Sequence, residues 1–229
     1  MILFRSSQHF YILKCKAMKY LSNQLLDDLY SKTESGLEKA IREWQQLPEA
    51  QLTQQPAPGK WSAAQCLEHL NSYGHYYLPA IEKAIRKVSG AHPSVHFKSS
   101  WLGNYFYKLM LPAENGLPAK MMKSPAKHAP ASSLNGKEVL NEFISQLEKL
   151  EQLLTKARNI NINKASVGIS IMPLLKLKLG DVFLFIVAHN TRHLLQAERA
   201  LKSWNHSPDK IQQTSAMLQS LGGQSIPMK

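Results

Sequence analysis

Cysteine is nearly absent from this chain: 229 residues carry two, Cys15 and Cys66. Two thiols without CxxC spacing exclude the disulfide framework of small secreted domains and point to a reducing cytoplasm. There is no apolar run of about 18 residues, so the sequence pattern offers no membrane-spanning helix. There is no convincing export signal either. In MILFRSSQHFYILKCKA the polar stretch Arg5 to His9 breaks up the apolar pieces, and no small-residue cleavage site follows. Residues 1–17 are therefore expected to be a poorly ordered extension. Internal repeats and strands with sustained alternation are missing too.

Acidic residues are scarce, 16 against 28 basic ones, for a net charge of +12. Such an excess could serve an anionic partner such as nucleic acid. The lysines and arginines, however, fall at ends and links: Arg5, Lys14 and Lys16 near the start, Lys120, Lys123 and Lys127 in a Pro-rich connection, Lys156 to Lys178 between two helical segments. They make no basic helix and no zinc-finger spacing. Ordinary solvated charge is the better reading, and nucleic acid is not an expected partner.

Apolar residues are present at 44%, enough for one globular domain, placed at residues 18–205. Leu21, Leu25, Leu29, Leu37, Ile41 and Trp44 form one stripe at helical spacing between Tyr20 and Leu47. Pro56, Pro58 and Gly59 break it. A second helix opens at Trp61-Ser62, where Ser62 and Gln65 have the form of a capping box, and runs to Ser89-Gly90 with a kink expected at Pro79. Trp101 to Leu111 predicts a short helix inside a long irregular crossover spanning 91–135. A third helix covers about Gly136 to Arg158. Residues 159–179 are expected to be an irregular link. The fourth helix starts near Gly180-Asp181 and reaches about Trp204. Residues 206–229 form a polar tail, within which Ile211 to Leu221 has the pattern of a short helix. The fold class is all-α, a four-helix bundle with a long crossover and short accessory helices.

His189 and His193 carry the chemistry. Four residues apart on the fourth helix, their rings leave the same face one turn apart. Val182, Phe185, Ile186, Gln196, Ala197 and Ala200 share that face, so the pair points into the bundle. Two buried imidazoles without partners would cost about 1–3 kcal/mol each, and a metal ion satisfies both. The bland alternative is a pair of core histidines held by hydrogen bonds. Position 190 is Asn, so the HExxH motif of metalloproteases is absent. His69, on an inward face of the second helix with Cys66, Leu70 and Tyr73, supplies a third ligand. Three histidines with open positions are the donor set of a catalytic-type metal site.

The segments KWSAAQCLEHL (60–70) and GDVFLFIVAHNTRHLLQAERAL (180–201), with MMKSPAKHAPASSLNGKEVLNEFISQLEKL (121–150) between them, resemble the DinB-like (DinB/YfiT) superfamily. The resemblance covers roughly residues 19–204. It implies a bundle of up-down-down-up order whose metal triad, carried over position by position, is His69, His189 and His193. It also implies a divalent ion, for which imidazoles suit zinc, nickel or iron, and in some members a low-molecular-weight thiol cofactor used in S-transfer. A homodimer is plausible by the same resemblance.

Around the triad, Gln196 is a candidate to support His193 from behind. Cys66 either faces the site or is a small buried hydrophobe. Arg192 either meets a substrate anion or a neighbouring helix. Tyr73 and Tyr77 either line a pocket mouth or belong to the core. Glu68 and Asn190 are expected at the rim, Asn71 and His75 at the surface. His92, His96 and His128 lie in links and are expected to be solvated. The leading expectation is a metal-dependent transferase or hydrolase acting on a small molecule. A non-catalytic metal-binding module comes second and a nucleic-acid-associated stress protein last.

Overall fold

A computed structural model describes residues 18–113, 117 and 122–204. The proposed extension at 1–17 and the tail at 206–229, with its expected short helix, lie outside the described residues.

Four long helices dominate: α1 (Ser22–Lys39), α3 (Ala63–Lys87), α5 (Gly136–Ala157) and α6 (Leu179–Ser203). Two short ones accompany them, α2 (Glu49–Thr53) and α4 (Trp101–Met110). The fold is all-α, as the periodicity predicts. α1 does not run as one α-helix to Leu47. It passes into a π-helical turn over Ala40–Trp44, and α2 follows where a break is expected.

Pairwise contacts give the helix directions. Along α1 and α5, Asp27 meets Arg158 and the Gln45 carbonyl accepts from Lys137, so these two run antiparallel. Along α3 and α5, Asn71 reaches the Val139 carbonyl and Glu82 meets Lys149, so these run parallel. His69 faces His193 while Tyr77 faces Phe185, which makes α3 and α6 antiparallel. The order is up-down-down-up. Parallel neighbours α3 and α5 cannot be joined by a short turn, and the long crossover between them follows from that geometry.

The box at the start of α3 forms as predicted. Gln65 N donates to Ser62 Oγ at 3.1 Å and Ser62 N to Gln65 Oε1 at 3.1 Å. Gln65 Nε2 also donates to the Ala131 carbonyl, tying the crossover to the same turn. α3 continues unbroken past Pro79, which lies on an exposed side.

The sequence pattern misses two small antiparallel pairs. β1 (Lys19–Leu21) pairs with β2 (His96–Lys98), and β3 (Ser166–Ile169) with β4 (Met172–Lys178). The link at 159–179 is thus largely a hairpin. Among the described side chains of the two strands, the apolar ones that reach the core are Val167, Ile169 and Leu177, too few inward positions to register as alternation.

The apolar core falls into two clusters. One gathers Leu26, Ile81, Leu153 and Phe183; the other gathers Leu67, Leu140, Phe143 and Ala197. Along α3 the changeover lies between Leu70 and Tyr77, and along α6 between Val187 and Ala197. His69, His189 and His193 sit close to this boundary, as a polar layer across an apolar interior.

Candidate metal centre

His69 comes from the second turn of a capped helix, and His189 and His193 from successive turns of α6. All three are buried, at 3%, 5% and 8% exposure. Their ring centroids form a near-equilateral triangle of 5.0, 4.6 and 4.8 Å. One ligand nitrogen from each lies within 4.8 Å of the others, so the group could hold a metal ion.

The proton positions favour a cation. His69 Nδ1 lies 2.7 Å from the His128 carbonyl, which can only accept, so the ring donates from Nδ1 and leaves Nε2 bare. His193 Nδ1 pairs in the same way with Gln196 Oε1 at 3.0 Å. His69 Nε2 and His189 Nε2 stand 3.2 Å apart. Without an ion, His189 Nε2–H can donate to the bare His69 Nε2; with His189 in its other tautomer, the lone pairs that meet in this desolvated space are what a divalent ion satisfies.

Burial also keeps these rings neutral. Desolvation pulls His69 down to about 4, against the hydrogen bond to His128, which raises it. It pulls His193 down to about 3, aided by His69 and Arg192. His189 is held well below the ordinary value by burial first and by His193 and His69 next. Neutral imidazole is the ligating form, so the site needs no proton release near pH 7.

A pH prediction follows for the metal-free protein. Folded His69 and His193 sit below the unfolded value of 6.5, so the unfolded state takes up protons first. Their stabilising contribution is complete above 6.5 and declines as pH falls towards about 4 and about 3. Each contributes a slope of about 1.4 kcal/mol per pH unit inside that window. Urea midpoints should therefore fall from pH 7 to 4.5, and fall less in His193→Leu. Equal slopes for the two proteins would contradict the buried neutral imidazole.

Aromatic rings wall the triad. Trp61 lies 5.0 Å from His69 and 5.9 Å from His193 between centroids. Tyr73 lies 5.0 Å from His69 and 4.5 Å from His189, and Phe185 stacks on His189 at 5.5 Å. Tyr73 is thus part of the site, and burial pushes its phenol up to about 12. Tyr77 is core, its hydroxyl accepting from Ser170 N.

Other candidates separate clearly. Cys66 is a fully buried member of the apolar cluster with its thiol pushed up to about 12, so it is the small hydrophobe and not a facing thiolate. Arg192 is buried and donates to the Leu109 carbonyl at the end of α4, favouring the neighbouring-helix alternative. Glu68 and Asn190 are half-buried, consistent with a rim. His75 is exposed and paired with Glu142. Asn71 is not at the surface: it is fully buried and caps the Val139 carbonyl between α3 and α5.

His128 is the larger correction. Expected to be solvated, it is 2% exposed, stacks on Tyr73 at 3.9 Å and bonds to Ser72 and Ser170. It sits in a single 3-10 turn, Ala126–His128, where no periodicity marks an inward face. His92 and His96 are exposed, as expected.

Fold and site together define a helical-bundle protein with an inward three-histidine group able to hold a metal. The family profile of the DinB superfamily matches residues 32–197, well over half of the chain, and the chain belongs to that superfamily. No curated protein and no solved structure matches it. Among the described residues no helix is long and apolar enough to cross a membrane.

Proposed function

We propose that this protein is a metal-dependent enzyme that binds one divalent ion, zinc, nickel or iron, through His69, His189 and His193 and acts on a small molecule. The observation that carries this reading is the convergence of three buried, neutral imidazoles, two of which have their other ring nitrogen committed to a carbonyl oxygen. Such an ion supplies Lewis acidity, lowering the pKa of a water or thiol that reaches it. Three protein ligands leave room for that fourth group.

The chain's own residues do the rest. His128 and Gln196 hold the rings of His69 and His193 in the ligating tautomer. Trp61, Tyr73 and Phe185 exclude bulk water and strengthen electrostatic interactions inside the wall. Tyr73, kept protonated by burial, can donate a hydrogen bond to a bound anion but does not compete as a phenolate ligand. Thiol-dependent S-transfer is the reaction we favour, with hydrolysis as the alternative. Cys66 is too buried to provide the thiol, so a low-molecular-weight thiol would have to come from solution.

The test uses the cobalt-substituted protein. Titration with low-molecular-weight thiols is expected to shift the visible spectrum and add a thiolate-to-cobalt band. A response to small anions but not to thiols would move the reading to a hydrolase. Insensitivity to both would overturn catalysis in favour of a metal-binding module without activity.

A further inference from the structure

The side chain of His128 lies too far out to join the triad, yet its position is set by more contacts than a link residue needs. One assignment of the protons satisfies every contact around the ring. Ser72 Oγ donates its single proton to the His69 carbonyl at 2.9 Å. It can then only accept from His128 Nδ1, at 2.9 Å. His128 Nε2 is left bare and accepts from Ser170 Oγ at 3.1 Å. Ser170 is itself anchored, its backbone N donating to Tyr77 Oη at 3.1 Å. The imidazole also stacks on Tyr73, whose ring touches both His69 and His189.

We infer that His128 is a positioning residue for the metal centre: clamped between Ser72 of α3 and Ser170 of the β3–β4 turn, its side chain fixes the crossover so that its own carbonyl holds the His69 Nδ1 proton and aims Nε2 at the ion. The clamp works in both directions. His69 donates to the backbone of His128, while Ser72, one turn later on α3, links the His69 carbonyl to the His128 ring. Loss of the ring frees a segment that has no helix of its own, apart from one 3-10 turn, to hold that carbonyl. Outer hydrogen-bond partners of metal-bound histidine are worth about 10–100-fold in affinity. This inference rests on the triad binding a metal.

The experiment measures zinc dissociation constants by competition with a chromophoric chelator, together with urea unfolding of the metal-free proteins. Zinc binding by the wild type comes first; its failure would remove the functional reading itself. Given that binding, His128→Phe, which keeps an aromatic ring against Tyr73 but cannot hydrogen-bond, is expected to weaken zinc by about 10–100-fold. His128→Asn, whose amide can still donate towards Ser72, is expected to recover part of that loss. A merely structural histidine would lower the unfolding midpoint in both variants and leave the zinc constant of the folded molecules unchanged. That result, or a His128→Phe constant within twofold of the wild type, overturns the inference. Should His128→Phe not fold, Ser170→Ala removes the donor to Nε2 alone and must weaken zinc several-fold; unchanged affinity there also overturns it.

Discussion

His189→Ala is expected to reduce the zinc content of the purified protein from one equivalent to background. His189 is surrounded by rings: Phe185 stacks on it, and Tyr73, His69 and His193 meet it edge to face. Its removal leaves His69 and His193 on different helices, with no third donor between them among the described residues. Two ligands in a pocket walled by Trp61 and Tyr73 cannot complete a coordination sphere with protein atoms. The loss in affinity should exceed the about 100-fold that an outer partner alone is worth. Elemental analysis after dialysis against a weak chelator measures it. His75→Ala is the control: that imidazole is exposed, pairs with Glu142 on the outside of the bundle and should leave metal content untouched. Equal metal in His189→Ala and wild type would end the three-histidine proposal. Full metal with no thiol or anion response would leave the site intact and remove only the chemistry.

The triad and the bundle were legible because both obey helical periodicity. His189 and His193 recur with Val182, Ile186 and Ala197 on one stripe, and every one of these is buried. Ser62 and Gln65 announce where α3 begins, and that start sets the phase that turns His69 inward. What escaped the sequence lies where no period operates. His128 is placed by Pro125, by a single 3-10 turn and by partners 42 and 56 residues away in the chain. Asn71 looks like a surface residue because Asn is usually solvated, whereas here it donates to a carbonyl between two helices. The hairpin of β3 and β4 places four exposed apolar residues, Ile171, Met172, Leu174 and Leu175, near its turn, so its pattern resembles neither an amphipathic strand nor a helix. Tertiary contacts, not local propensity, decide such segments.

Asp181→Ala is expected to be strongly destabilising although it lies outside the metal centre. Asp181 is fully buried in the first turn of α6, where a carboxylate also complements the helix dipole. Its two oxygens accept from Ser99 Oγ at 2.7 Å, Ser100 Oγ at 2.7 Å and Ser100 N at 3.1 Å. Ser100 in turn is the N-cap of α4, accepting from Gly103 N at 2.9 Å. One side chain therefore fastens the start of α4 to the start of α6. Truncation strands the buried Ser99 hydroxyl and takes the acceptor from two partly buried Ser100 donors, at about 1–3 kcal/mol for a fully buried donor and less for the others, so a loss of about 2–5 kcal/mol is expected. For a domain of this size that is a fall of roughly 5–15 °C in Tm. Gly103→Ala should reach the same outcome from the opposite side, since a Cβ there would stand 2.1 Å from Asp181 Cγ and must push the carboxylate or the helix away. Both effects concern the seam between α4 and α6, about two turns along α6 from His189, so zinc stoichiometry measured well below the transition should stay at the wild-type value. Calorimetry of the two variants checks the first part: a Tm within about 2 °C of wild type for Asp181→Ala would mean that the two serines find other acceptors and that α4 is held by its apolar face alone.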